Sequence, residues 1–311
     1  MPFRPAVASV ALLSKALCST WWARSVTVRG LDGFLARLYD ERRRAEGRGL
    51  LTYANHISVM DDPGLFGCLP FRTFLRPETT RWTLGAADVM FTNPVFAHFF
   101  RAGQVLPTDR GRGVFQPALD AALDRLAAGD WVHLFPEGYV NMSRRALCRR
   151  FKWGIGRLLL EAEPHARPVV CPIWIEGFDS VMPEPRGPPR WFPRPGADLQ
   201  ITFGEPVEDA LEPLLRPGAL LELADTHPAP PAASFPPPTP LAAPPSGGYA
   251  LPLAGSRSQR SLALGGDSPE MRERRSAVAR KLREELLLLG ERAGGPGVRQ
   301  LAHRAMKEES A

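Results

Sequence analysis

Residues 50–63 read LLTYANHISVMDDP, and the fold follows from them. Leu50, Leu51, Thr52, Tyr53 and Ala54 form a short apolar run of the kind that makes a buried strand. Asp62 followed by Pro63 reads as a helix N-cap and a first-turn proline. A strand that passes through a tight turn into a helix is the building unit of a parallel α/β sheet. His56 and Asp61 fall in and just after that turn. Five residues apart on a regular helix they would point about 140° away from each other. They meet only if His56 sits in the turn and Asp61 near the helix start. There a histidine can take a proton from an alcohol near neutral pH, and a carboxylate can fix its tautomer. The plainer reading is a histidine closing a turn, with Asp61 or Asp62 capping a helix. The stretch alone leaves both open.

Outward from this stretch the pattern alternates. Leu31, Phe34, Leu35 and Leu38 predict a helix over 31–46, and apolar residues predict a strand at 104–106 leading to Asp109-Arg110-Gly111. A helix follows over 113–128, ended by Gly129 in a left-handed cap. A strand at 131–135 then delivers FPEG at 135–138. A helix at 151–162 and strands at 169–175 and 198–203 continue the alternation, which predicts an α/β fold with a mainly parallel central sheet flanked by helices. Residues 91–100 hold Phe91, Phe96, Phe99 and Phe100 and read chiefly as core.

The chain has 311 residues and a formal charge of +6. That length supports one large α/β domain or two small ones. The charge suits an anionic partner. No zinc-finger, RNA-recognition or basic-zipper pattern accompanies it, so anionic lipid is expected rather than nucleic acid. Cys18, Cys68, Cys148 and Cys171 are scattered, with neither metal-site nor disulfide spacing. Residues 1–30 are free of carboxylates and carry Arg4, Lys15, Arg24 and Arg29 beside Trp21 and Trp22. They read as a mitochondrial address or as an interfacial helix embedded in one leaflet, with Lys15 snorkelling. The α/β domain is then expected over 31–215. Residues 216–267 are Pro-rich, with ten prolines between 228 and 252, and read as a disordered insert. A C-terminal helix is expected over 268–292, started by Ser268-Pro269, with a flexible tail at 293–311.

Glu137 stands between Pro136 and Gly138 in a turn after an apolar strand. A buried carboxylate there needs a cation, a hydroxyl or backbone donors, and Arg110 is the natural cation to consider. Arg110 can also hold a phosphate by a bidentate contact, or form a plain surface ion pair. Arg144, Arg145, Arg149, Arg150 and Lys152 make a basic cluster just after the turn, suited to lipid phosphates or to a solvated face.

His-x4-Asp at 56–61, an arginine after a later strand, FPEG, and a strand containing Pro172 resemble the four ordered motifs of the glycerolipid acyltransferase family. The resemblance covers roughly residues 20–210 and resumes near 270–290. It implies a glycerol-3-phosphate acyltransferase-like fold with an N-terminal membrane-associated helix. It also implies His56 as general base, Asp61 as its partner, and Arg110, Glu137 and Gly138 binding or positioning the glycerophosphate. No metal and no cofactor are implied. Acyl-CoA-dependent members often continue FPEG with Thr and Arg, whereas Tyr139-Val140-Asn141-Met142-Ser143 stands here. That favours the CoA-independent branch, which moves acyl chains between phospholipids and lysophospholipids. The implied substrates are cardiolipin, monolysocardiolipin and phosphatidylcholine at a membrane surface. The implied location is mitochondrial membranes facing the intermembrane space, with oligomerisation left open. Two alternatives stand beside it: an acyl-CoA-dependent lysophospholipid acyltransferase, and a non-catalytic protein that binds anionic lipid.

Overall fold

The computed structural model describes residues 5–19, 22–142, 148–184, 188–189, 192–216, 257–263 and 265–294. Seven strands form one sheet: β1 (Ser25–Arg29), β2 (Leu50–Ala54), β3 (Trp82–Ala86), β4 (Val105–Thr108), β5 (Trp131–Leu134), β6 (Val169–Glu176) and β7 (Asp198–Phe203). Their order is β1-β7-β6-β2-β5-β3-β4, and every neighbouring pair is parallel except β6 with β7. The sheet is therefore mainly parallel, and β2 lies at its centre with all five residues buried.

Alternation along β2 sorts the core into two layers. Leu51 and Tyr53 point to one face, where they meet α7 (Pro117–Ala127), α8 (Gly154–Leu160), α10 (Glu208–Leu215) and α12 (Pro269–Ala293). Leu50 and Ala54 point to the other, where Phe34 of α2 (Leu31–Leu38) packs with Trp131 and Phe203 at ring distances of 5.2 and 4.6 Å. Helices thus cover both faces of a buried sheet, which is why its strands read as continuous apolar runs.

Several elements differ from the sequence reading. The helix expected over 31–46 breaks at Asp40, whose side chain accepts from Arg43 N at 3.1 Å and caps a new helix, α3 (Glu41–Ala45). A cap of this kind satisfies an otherwise orphaned N–H, so the break carries little cost. Helix α7 begins at Pro117 rather than 113, because Gly113 takes a left-handed φ of 78° and proline suits the first helical position. Helix α8 is shorter than 151–162 at both ends. Strand β1 lies inside what reads as the end of the N-terminal segment, and it is an edge strand paired only with β7 among the described residues.

The N-terminal helix α1 (Pro5–Leu17) packs onto the domain. Val7 and Ala11 are buried in the second core layer, while Leu12 and Leu13 are exposed. Lys15 does not snorkel: its ammonium donates to the carbonyls of Leu69 and Gly67. No helix among the described residues is long and apolar enough to cross a membrane.

Residues 91–100 depart most clearly from a core role. Helix α6 (Pro94–Ala102) starts at Asn93, whose side chain accepts from Phe96 N at 2.9 Å, and it buries only Ala97. Val95, Phe96 and Phe99 are 75%, 51% and 40% exposed. The Pro-rich segment also ends earlier than expected. Residues 257–263 form helix α11, whose Ser258 and Arg257 bond to Asp120 and Asp124 of α7. The rest of that segment, 217–256, and the tail from 295 lie outside the described residues.

Candidate active site

Because β2 and β5 are parallel neighbours, the turns after them emerge side by side at one edge of the sheet. Strands β3 and β4 end at the same edge. Catalytic and binding groups collect at this carboxyl edge in parallel α/β sheets, and His56, Asp61, Arg110, Glu137 and Gly138 all lie beyond it.

Asp61 opens helix α4 (Asp61–Leu65), and its carboxylate is completely buried. One oxygen, Oδ2, accepts from His56 Nδ1 at 2.9 Å, from Ile57 N at 2.5 Å and from Ser58 N at 2.8 Å. The turn is folded around this one atom. Burial raises the Asp61 carboxyl above its ordinary value, and the His56 bond and the two N–H groups pull it back. Three donors converging on one oxygen fit an ionised carboxylate, so His56 donates from Nδ1 and its Nε2 carries the lone pair. That nitrogen has no partner among the described residues, and the imidazole is partly exposed. The ring is held from the other side by Phe135, stacked at 4.3 Å.

Asp62 does not cap the helix. Its carboxylate forms a bidentate pair with Arg81, whose guanidinium lies over the Phe66 ring at 4.6 Å. A proline next to an aspartate signals a helix start correctly, but here the preceding aspartate takes the turn's N–H groups and frees Asp62 for a cation.

Glu137 is also buried, and it does not meet Arg110. Its Oε1 accepts from His56 N at 2.8 Å and its Oε2 from Arg149 N at 2.8 Å, with Cys148 Sγ at 3.5 Å. Burial raises its carboxyl, opposed first by the N–H groups of Arg149 and His56. The carboxylate thus staples three separate segments together by backbone donors. Gly138 closes the turn at φ 74°, a left-handed conformation strained for any side chain. Asn141 N then donates to His56 O at 2.6 Å. Both peptide groups flanking the His56 α-carbon are therefore held by residues 137–141.

Arg110 pairs with Asp88, beyond β3, and lies 4.8 Å from the centroid of the Tyr139 ring. The structure brings His56, Asp61, Glu137 and Gly138 into one hydrogen-bonded unit, and sets Arg110 beside it through Tyr139. Arg144 and Arg145 lie outside the described residues, and Arg150 faces Ser276.

Four supporting residues carry little signal in the sequence. Asn55 bonds Ile175 through both its amide groups at 2.9 Å, pinning the end of β2 to β6. His133 is fully buried, its Nδ1 2.8 Å from Thr52 Oγ1, and burial pushes it down to about 3. Tyr139 gathers cations. Arg283, from α12, donates to the carbonyls of Cys148 at 2.9 Å and Arg149 at 3.2 Å, behind the Glu137 staple. Only Asn55 had a usable sign: a polar residue ending a buried strand must find partners.

A family model described as Acyltransferase matches residues 35–176. A Dictyostelium discoideum protein named taffazin is 37% identical over 194 residues, 61% of this chain and 66% of its own length. An Arabidopsis thaliana N-acylphosphatidylethanolamine synthase is 40% identical over 167 residues, 53% of this chain and 58% of its own. The chain thus spans less than two thirds of either relative. Among solved structures, the 1-acyl-sn-glycerophosphate acyltransferase from Thermotoga maritima matches with a TM-score of 0.46 and 18% identity, over 72% of this chain and 81% of that one. The His-x4-Asp turn and the FPEG staple both lie inside the segment that matches the Acyltransferase model.

Proposed function

We propose that this protein is a CoA-independent transacylase that moves a fatty acyl chain from a phospholipid ester to the hydroxyl of a lysophospholipid, remodelling cardiolipin. One observation carries the proposal: His56 Nδ1 is fixed on buried Asp61, which leaves Nε2 as an oriented base at the carboxyl edge of the sheet. His56 Nε2 takes the proton of the acceptor hydroxyl as that oxygen attacks the donor ester carbonyl. The tetrahedral intermediate expels the donor's glycerol oxygen, which recovers the proton from the imidazolium. Asp61 stabilises the imidazolium between these two steps. Arg110, with Asp88 and Tyr139 beside it, is suited to a lipid phosphate, and Tyr139 stands where acyl-CoA-dependent relatives often carry Thr and Arg.

A phospholipid with a labelled acyl chain, mixed with monolysocardiolipin with and without CoA, tests the reading. Transfer without CoA is expected. Transfer only from acyl-CoA would instead identify the acyl-CoA-dependent alternative. His56→Ala is expected to abolish transfer while vesicle binding persists, and Asp61→Asn to lower kcat by about 10³–10⁴ with the fold intact, because the wrong tautomer is then held. Unchanged transfer in His56→Ala would overturn His56 as the base, whereas no transfer by wild type from either donor would leave only the lipid-binding role. The acid-free N-terminal segment supports a site of action at mitochondrial membranes facing the intermembrane space. Protease protection in intact and outer-membrane-ruptured mitochondria reads this directly, and protection that survives rupture would overturn it.

A further inference from the structure

Tyr139 sits between Glu137 and Asn141, and both of those residues are fastened to the backbone of His56. Its ring is 42% exposed. Three cations surround it: the Arg110 guanidinium at 4.8 Å from the centroid, that of Arg149 at 5.8 Å, and the Lys152 ammonium at 5.8 Å. Cations are drawn to the face of an aromatic ring, which explains how three of them share so small a space. Among the described residues, Asp88 is the carboxylate that forms an ion pair with one of the three, and it belongs to Arg110. Arg149 and Lys152 are exposed and have no carboxylate within ion-pair distance among the described residues. Their backbones are fixed, with Arg149 N on Glu137 and Lys152 N on Pro136 O at 2.7 Å. The two side chains are thus anchored at their base and unneutralised at their tip.

Arg149 and Lys152 thus present two cationic tips without an ion-pair partner among the described residues, on one rigid patch beside the base. We infer that Arg149 and Lys152 form a second phosphate site next to Arg110, so that the acceptor this site fits is a lysolipid bearing two phosphodiesters on one headgroup. The inference rests on the acyl-transfer reading above and deepens it, assigning the headgroup's second charge to named side chains. Arg110 takes the phosphate nearer the reacting glycerol, and Arg149 with Lys152 takes the farther one. Coenzyme A also carries several phosphates, so the test must separate the two sources.

The experiment compares wild type, Arg149→Gln/Lys152→Gln and the charge-conserving Arg149→Lys/Lys152→Arg, each assayed with monolysocardiolipin and with lysophosphatidylglycerol as acceptor. The charge-removing pair is expected to raise KM for the two-phosphate acceptor about tenfold or more, since charge-assisted hydrogen bonds are lost. Its kcat should hold, and KM for the one-phosphate acceptor should stay within about twofold. The charge-conserving pair should recover most of the loss. Equal effects on both acceptors, or none on either, would overturn the inference. Free CoA that competes in wild type but not in the charge-removing pair would also overturn it, by assigning the patch to that cofactor. If wild type transfers to neither acceptor, the acyl-transfer reading fails by itself. Binding to detergent micelles of cardiolipin or phosphatidylglycerol at matched charge then decides the patch. A cardiolipin preference lost in the charge-removing pair supports the second site, and no preference in wild type refutes it.

Discussion

The Thr52 hydroxyl accepts the indole N–H of Trp131 at 2.8 Å and shares a second hydrogen bond of 2.8 Å with His133 Nδ1. The other ring nitrogen, Nε2, is buried with no partner among the described residues. Burial pushes this group down to about 3 from 6.5. Between those values the unfolded chain binds a proton that the folded chain does not. Stability is thus fully present above pH 6.5 and lost as pH falls, by up to about 1.4 kcal/mol per unit. Urea midpoints between pH 6.5 and 4 should fall more steeply for wild type than for His133→Gln; parallel curves would show that His133 titrates normally. Asp61 and Glu137, raised by burial, act in the opposite sense but equally in both proteins. At this scale the sequence is legible where chemistry is local. A five-residue spacing across a strand-to-helix turn places His56 against Asp61 because only short-range geometry is involved. The partner of Glu137 is not legible in that way. Glu137 follows β5 and Arg110 follows β4, and β3 lies between those strands, so sequence order gives no hint that Asp88 takes the arginine.

Helix α12 shows the same division one level up. Ser268 accepts from Met271 N at 3.2 Å and Pro269 occupies the first turn, so its start could be read from three residues. Val278, Leu282, Leu286 and Leu289 recur at helical spacing and bury as that spacing predicts. Arg283 on the same helix gives no such signal, since its acceptors are backbone carbonyls 134 and 135 positions away. Those carbonyls flank Arg149, and the Cys148 carbonyl belongs to the peptide whose N–H Arg149 gives to Glu137. Arg283→Met should therefore loosen the staple and lower kcat about tenfold at temperatures where the variant is fully folded, with Arg283→Lys recovering part of it. A lowered Tm with unchanged kcat would make Arg283 a packing residue only. Elements whose signals compete were less legible. Residues 31–46 carry a helical stripe throughout, yet the Asp40 cap divides them, and β1 is too short and too exposed on its edge to stand out from the flanking arginines.

For the whole molecule, five of the exposed apolar side chains sit on two helices that touch. Helix α6 packs on β4 and touches α1, and α1 packs against α4, the helix that Asp61 opens. Leu12 and Leu13 of α1 and Val95, Phe96 and Phe99 of α6 remain uncovered, while Lys15 and Arg101 are the charged residues of these two helices. An apolar face free of carboxylates suits the surface of an anionic membrane, and the aromatic rings can enter it. Phe96→Ser/Phe99→Ser is expected to reduce binding to cardiolipin-containing vesicles at least about tenfold and to leave Tm nearly unchanged, since little buried area is lost. Unchanged sedimentation with vesicles would rule the face out. The periodic pattern alone could not show this, because a stripe facing lipid and a stripe facing a core look alike in sequence. The stitching around His56 has a further consequence, on the time axis. Glu137 lies 81 positions beyond His56, and Arg283 lies 135 beyond Cys148. Contacts of such span close late in folding, after the loops between them have been gathered in. A partly folded chain thus has its histidine beside Asp61 before Glu137 and Asn141 fix its backbone. The grip is complete only once α12 has docked behind the staple, so the setting of His56 marks the end of folding rather than its beginning.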